Sequence, residues 1–197
     1  MSGEDLSSAR LAAPPLPPLP EDSLGRAALV ELGRRIEERA WAAGLDRWSW
    51  GEGTCLLGSI RLAEALAEPF PARVLDYLDR HAAAGLAVGH VNDLAPGTAA
   101  VLAAQATGER RYLDLVVPLI EWVRSSPHAS RAANGALEHW PGAIWADTVF
   151  MAGVFLGHVG AATGDPELLE ACGRQLVAHA EVLQHPESGL FAHGSYR

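Results

Sequence analysis

The densest chemistry-bearing stretch of this 197-residue chain is His139-Trp140-Pro141-Gly142-Ala143-Ile144-Trp145-Ala146-Asp147-Thr148-Val149-Phe150-Met151. Two indoles, one imidazole and one carboxylate meet there at a predicted helix start. Indole faces bind the apolar faces of sugar rings, and an indole beside a carboxyl group disfavours its charged form, the condition a general acid needs. Asp147 is therefore a candidate proton donor. It also reads as the cap of a helix opening at Thr148, and spacing alone favours the cap, because caps far outnumber catalytic acids. Asp93 repeats the arrangement before a helix opening at Leu94, with His90 and Asn92 beside it. Two carboxylates projecting from one rim would face one cavity, as carboxylate-pair chemistry requires, with capping again the plainer role for Asp93.

A third candidate is Glu187-Ser188-Gly189-Leu190-Phe191-Ala192-His193-Gly194, a turn-forming aromatic stretch in which a lone His is ordinarily just solvated. Trp48 and Trp50 with Gly51-Glu52-Gly53 form an aromatic, glycine-punctuated helix entrance, a pattern more often used for core packing than as a ligand platform. Eight histidines invite a metal reading, yet no HxH or HxxxH pair occurs. His179 and His185 flank a helix end without carboxylate company, so zinc is set aside and no cofactor is expected. No GxSxG, nucleotide-binding glycine loop or kinase signature is present. All 15 basic residues are Arg, which removes Schiff-base and phosphate-loop lysine chemistry. The net charge of −9 opposes binding to nucleic acid or an anionic membrane surface.

The elements that must position these residues are helical. Leu29, Leu32, Ile36 and Ala40 recur at steps of three and four from Ser23 onward, and Gly44 is placed to end that helix. Further helices are expected after Gly53 with Pro69 as a stop, from Pro71 to Gly85, over 94–106, 109–124 and 148–162, and from Pro166 to Leu183. The total is about seven, with Pro118 expected to break the fifth into two pieces. No strand pattern competes, so the class is all-α. Thr107-Gly108-Glu109-Arg110-Arg111-Tyr112-Leu113-Asp114 is echoed by Thr163-Gly164-Asp165-Pro166-Glu167-Leu168-Leu169-Glu170. In each copy a glycine closes one helix and an acidic residue caps the next, so the unit is a helical hairpin that must stack as a solenoid or an α/α toroid. Residues 1–22 read as a flexible proline-rich tail too short and broken for a leader or a membrane span, and residues 23–197 as the folded domain. Two thiols without CxxC spacing make a disulfide framework improbable, and a cytoplasmic location is expected.

Ile144-Trp145-Ala146-Asp147-Thr148-Val149-Phe150-Met151-Ala152-Gly153, then Thr163-Gly164-Asp165-Pro166, then Ser188-Gly189-Leu190-Phe191-Ala192-His193-Gly194 resemble, in order and spacing, the unsaturated rhamnogalacturonyl hydrolases of glycoside hydrolase families 88 and 105. Asn92-Asp93-Leu94 and Trp50-Gly51-Glu52-Gly53 extend the resemblance to most of the chain from about Trp48. It implies an (α/α)6 toroid of twelve helices and a reaction on a 4,5-unsaturated uronic acid, galacturonyl-rhamnose being the family default. By the resemblance, Asp147 protonates C4 of the vinyl ether, water adds at C5, and the neighbouring sugar is released without metal or organic cofactor. Asp93 becomes the second carboxylate, His139 and His193 contact the unsaturated sugar, Met151 lines the pocket, and Trp50 and Trp145 offer ring faces. Relatives continue through further helices after the His-Gly element. The chain therefore reads as the N-terminal half, about seven helices of an incomplete ring, whose activity as a truncated chain is in question. The alternative is a non-catalytic helical-hairpin module that self-associates through its open edge.

Overall fold

The stretch Ala95–Thr107 reads APGTAAVLAAQAT, a helix almost without long side chains, and such a helix can be surrounded closely on all sides. In the computed structural model, which describes residues 25–196, it is the central helix, with nine of its thirteen residues buried. The helices are α1 (Arg26–Ala42), α2 (Trp50–Ala65), α3 (Ala72–Ala84), α4 (Ala95–Thr107), α5 (Arg111–Asp114), α6 (Val117–Ser125), α7 (Phe155–Thr163) and α8 (Pro166–Leu183). Helices α2, α4 and α7 stand side by side as one layer. Behind them, α1 lies on α2, α3 lies against α2 and α4, and α8 pairs with α7. The hairpin stack is the all-α arrangement expected.

Glycine permits the close approaches on both sides of α4. A Cβ on Gly53 of α2 would lie 2.6 Å from the Ala95 carbonyl carbon, and one on Gly97 would lie 2.6 Å from Leu119 of α6 and from Phe155 of α7. Gly53, expected at a helix entrance, thus sits inside α2, which begins at Trp50, and it is glycine because another backbone presses on it. Tyr77, Leu78, Leu94, Leu119 and Phe155 are fully buried around this centre, each such side chain contributing about 1.5–3 kcal/mol.

The two echoed turns behave differently. Gly108 and Gly164 both close their helices in the left-handed conformation, at φ 74° and 68°. Asp165 caps α8, its carboxylate accepting from the Glu167 and Leu168 amides, whereas Glu109 does not cap α5, whose N-cap is Arg110. Pro118 lies in the first turn of α6, so the expected break is real and sits at Leu115-Val116. The helix expected from Thr148 opens instead with a π-helical segment, Val149–Val154.

The all-α class holds, and only the reading that no strand is present needs correction. Two three-residue strands, β1 (Ala143–Trp145) and β2 (Gly194–Tyr196), pair antiparallel with Trp145 opposite Gly194. They are too short for an alternating pattern, and their pairing spans 49 residues of sequence. The proline-rich stretch 1–22 lies outside the described residues.

Candidate functional site

The ribbon assembles the aromatic side chains. Trp140-Pro141-Gly142-Ala143 is a tight turn in which the Ala143 amide donates to the Trp140 carbonyl at 2.7 Å, with Gly142 at φ 81°. Proline then glycine at its two central positions is the signature of a type II turn. The turn folds His139 back onto Ala143, the His139 amide donating to the Ala143 carbonyl at 2.7 Å. His139 then stacks on Trp145 two residues further along, with ring centroids 4.3 Å apart and planes 14° from parallel. From the other strand, the His193 carbonyl accepts from the Ala146 amide at 2.8 Å and its ring lies 5.4 Å from the Trp145 indole. Gly194 is glycine because a Cβ there would lie 2.8 Å from Trp145 Cδ1.

Asp147 lies two residues after the end of β1 and is not a cap. The N-cap position of the π segment is held by Thr148, no side chain caps that end, and Asp147 Oδ1 is buried without a hydrogen-bond partner. His139 Nδ1 lies 3.4 Å from that oxygen and 3.2 Å from the Thr148 hydroxyl oxygen. A proton on Nδ1 favours the ionised carboxylate, and a bare Nδ1 accepts from Thr148, so the imidazole can accompany either state of the acid. Burial pushes His139 below its ordinary value, an effect that Asp147 opposes and His90 and His193 reinforce. His179 on α8 is fully buried, donates from Nδ1 to the Gln175 carbonyl at 2.8 Å, and is pushed down mainly by burial, with Asp147 acting in the opposite sense. A π segment immediately after the acid fits the frequent use of such segments at functional sites.

Asp93 is engaged in a different way from the one its sequence position implies. It belongs to a 3-10 turn, Val91–Leu94, and its Oδ2 reaches backward to accept from the Gly89 and His90 amides at 2.9 and 3.0 Å. His90 Nδ1 completes the box by accepting from the Asn92 amide at 3.1 Å. Trp48 anchors the turn by donating to the Asp93 carbonyl at 2.8 Å. The turn packs against the π segment, which brings Asp93 beside the element that follows Asp147. His90 meets His139 edge-on at 5.0 Å and leans on Trp140 at 4.2 Å, joining the two halves of the site.

His139, Trp145, Asp147 and His193 are thus gathered at one place, with Asp93 adjacent. Trp50 is 53% exposed at the start of α2 and belongs to none of the aromatic pairs, while Met151 is buried with the main core. Sequence reasoning leaves His90, Thr148 and His179 without a role in this site and counts Trp140 only as one of two indoles in the stretch. His90 and Trp140 carry a usable signal in lying next to flagged residues, whereas His179 is linked to Asp147 only through the fold. Among the described residues, no cluster of three or more His, Cys, Asp or Glu is arranged to hold a metal ion, and no helix is long and apolar enough to cross a membrane.

Residues 33–197 match the family model described as Glycosyl Hydrolase Family 88. The chain belongs to glycosyl hydrolase family 88. This family 88 chain is 28% identical over 155 residues to the unsaturated rhamnogalacturonyl hydrolase YesR of Bacillus subtilis (strain 168), covering 74% of the chain and 44% of that protein. Its fold is shared with possible members of family GH105 from Salmonella enterica serovar Paratyphi A (TM-score 0.76, 22% identity, 93% of this chain and 55% of that one) and Klebsiella pneumoniae (TM-score 0.73, 21% identity, 99% and 57%). These neighbours are (α/α)6 toroids. The family 88 chain spans under half the length of the curated relative and somewhat over half of each of these solved chains.

Proposed function

We propose that the chain acts on a 4,5-unsaturated uronic acid at the end of an oligosaccharide derived from pectin, of the galacturonyl-rhamnose type, with Asp147 as the acid. The observation that supports this is the carboxylate oxygen of Asp147, buried without a hydrogen-bond partner and 3.4 Å from Nδ1 of His139, whose ring stacks on Trp145. In the proposed reaction this carboxyl group hands a proton to C4 of the vinyl ether. The cation that develops at C5 is stabilised by the ring oxygen. Water adds at C5 and returns its proton to the same carboxylate, and the resulting hemiketal opens, with the neighbouring sugar leaving as its free hydroxyl compound. One group serves as acid and then as base.

His139 would hold the carboxyl in place through both states, since its Nδ1 reaches Asp147 and Thr148 alike. Trp145 and His193 supply surfaces for the unsaturated ring. Asp93 has Oδ2 committed to two amides, which suits a fixed second carboxylate that orients water or substrate through its other oxygen. The relationship to YesR supports the substrate class. Incubating the 197-residue protein with unsaturated galacturonyl-rhamnose and following the alkene absorbance tests the proposal. Decay that Asp147→Asn abolishes is expected, and an untouched alkene would overturn it.

A second reading is favoured by one feature of the surface. Leu169, Leu176 and Val177 on α8 are 45–60% exposed, beside an apolar groove of about 400 Å³ between α8, α7 and the π segment. A non-catalytic module would pack this edge against another chain. Sizing the purified protein separates the two: a stable dimer without alkene decay favours the module, and a monomer with decay favours the hydrolase.

A further inference from the structure

Helix α8 meets the chain ahead of His139 along one stripe of its surface. Gln175, Ala178 and His179, at i, i+3 and i+4, are all buried, whereas Glu170 and Val177 on the same helix are exposed. Ala178 and Leu183 form a small apolar cluster with Ala132 and Ala136, which precede His139, and with Ile144 of β1, which precedes Asp147. This cluster is separate from the main core. The two stretches that deliver His139 and Asp147 therefore rest on one platform. His179 belongs to it as well: its Nδ1 donates to the Gln175 carbonyl at 2.8 Å, and burial holds it below its ordinary value while Asp147 opposes that effect.

Gln175 is the polar clamp of this platform. It is 5% exposed, and both ends of its amide reach across to one short segment. Its Oε1 accepts from the Leu137 amide at 2.8 Å, and its Nε2 donates to the Gly135 carbonyl at 3.0 Å. Gly135, at φ 87°, closes a turn begun at Ala132, whose carbonyl accepts from the Gly135 amide at 2.9 Å. Asn134 adds a further tie by donating to the Ala178 carbonyl at 2.8 Å. A buried side-chain amide is costly unless its groups are paired, and here both are paired with backbone groups two residues apart. Because hydrogen bonds are directional, a side chain that grips a donor and an acceptor together fixes the tilt of that segment as well as its distance, which an apolar contact does not. His139 follows Leu137 by two residues, stacks on Trp145 and stands 3.4 Å from Asp147.

We propose that Gln175 is a positioning residue for the site: by holding Gly135 and Leu137 from α8, it sets the His139 ring against Trp145 and within reach of the Asp147 carboxylate. The inference rests on the hydrolase assignment for the role of His139 beside the acid, but its first readout needs no turnover. NMR of the histidine-labelled 197-residue protein reads the His139 ring protons, which the Trp145 face shields in the stack, and His139→Gln assigns them. In Gln175→Met, which keeps the side-chain length and loses both bonds, these protons should move to the shifts of an unstacked histidine. In Asp165→Ala, which weakens α8 at its cap and touches neither segment, they should stay. With unsaturated galacturonyl-rhamnose, Gln175→Met should lower kcat about tenfold and leave KM within about twofold, the signature of a displaced catalytic group. Gln175→Glu, which keeps an oxygen for the Leu137 amide and loses the bond to Gly135, should fall between, and it carries the test where Gln175→Met does not fold. Unmoved His139 protons in the Gln175 variants, or an equal movement in Asp165→Ala, would overturn the proposal, as would a displaced ring with unchanged kcat. A displaced ring in a protein whose wild type leaves the alkene untouched would leave the clamp standing and remove the hydrolase assignment.

Discussion

Gly194→Ala probes how the ribbon holds the site. The added Cβ would meet Trp145 Cδ1 at 2.8 Å, Trp145 Nε1 at 3.2 Å and the Ile144 carbonyl oxygen at 3.4 Å. Carbon atoms in comfortable contact stand about 3.5–4.0 Å apart, so the indole must retreat by about 1 Å. Gly194 does not have a positive φ, so the cost comes from this contact and not from backbone strain. Retreat is hindered on the far side, where His139 stacks on the indole at 4.3 Å and is itself only 5% exposed. Overpacking of this kind costs about 1–3 kcal/mol. For a domain of this size about 2 kcal/mol lowers Tm by roughly 4–8 °C. Thermal unfolding of wild type, Gly194→Ala, Trp145→Leu and the double variant forms a cycle. The double variant should recover most of the loss, a coupling of about 1–2 kcal/mol. If Gly194→Ala costs the same in the Trp145→Leu background as in wild type, the idea that this glycine exists to seat the indole is refuted.

Stability should also fall with acidification. His81, His139, His158 and His179 are all held below their ordinary values chiefly by burial, so below pH ~6.5 the unfolded chain binds protons that the native state does not. Tm should therefore drop as pH is lowered from 7.5 to 5.5, more steeply than in His179→Asn, and a flat wild-type profile would contradict the assignment. Asp165→Ala removes the cap that accepts from the Glu167 and Leu168 amides at 2.9 and 3.3 Å and the partner of Arg124 at 3.0 Å. Urea denaturation should show about 1 kcal/mol lost, and an unchanged midpoint would mean that α8 is held by its packing alone.

Local chemistry announces some parts of this molecule and is silent on others. Asp165-Pro166 and Gly164 mark the junction of α7 and α8 because capping and left-handed closure are decided within a few residues, and Pro118 splits its helix for the same reason. Gly53 is misplaced by local reading because its identity answers to Ala95 and Pro96, more than forty residues away, and not to its own turn. The ribbon leaves no local trace because Trp145 and Gly194 pair across 49 residues with only three residues in each strand. Asp147 is ambiguous between cap and acid because both roles use an Asp before a helix. The tertiary structure removes the cap role by leaving its oxygen beside His139 with no backbone amide to accept from. The aromatic composition of 139–151 is legible locally, whereas His90 and His179 become neighbours of His139 and Asp147 only when the 3-10 turn and α8 are packed against them.

The central claim is that Asp147 delivers the proton to C4. Running the reaction on unsaturated galacturonyl-rhamnose in D2O and reading the product by NMR tests it directly. One deuterium at C4 of the released uronate product is expected with wild-type protein, and no product with Asp147→Asn. Product from Asp147→Asn at a rate comparable to wild type, or release of the sugar without deuterium at C4, would contradict it.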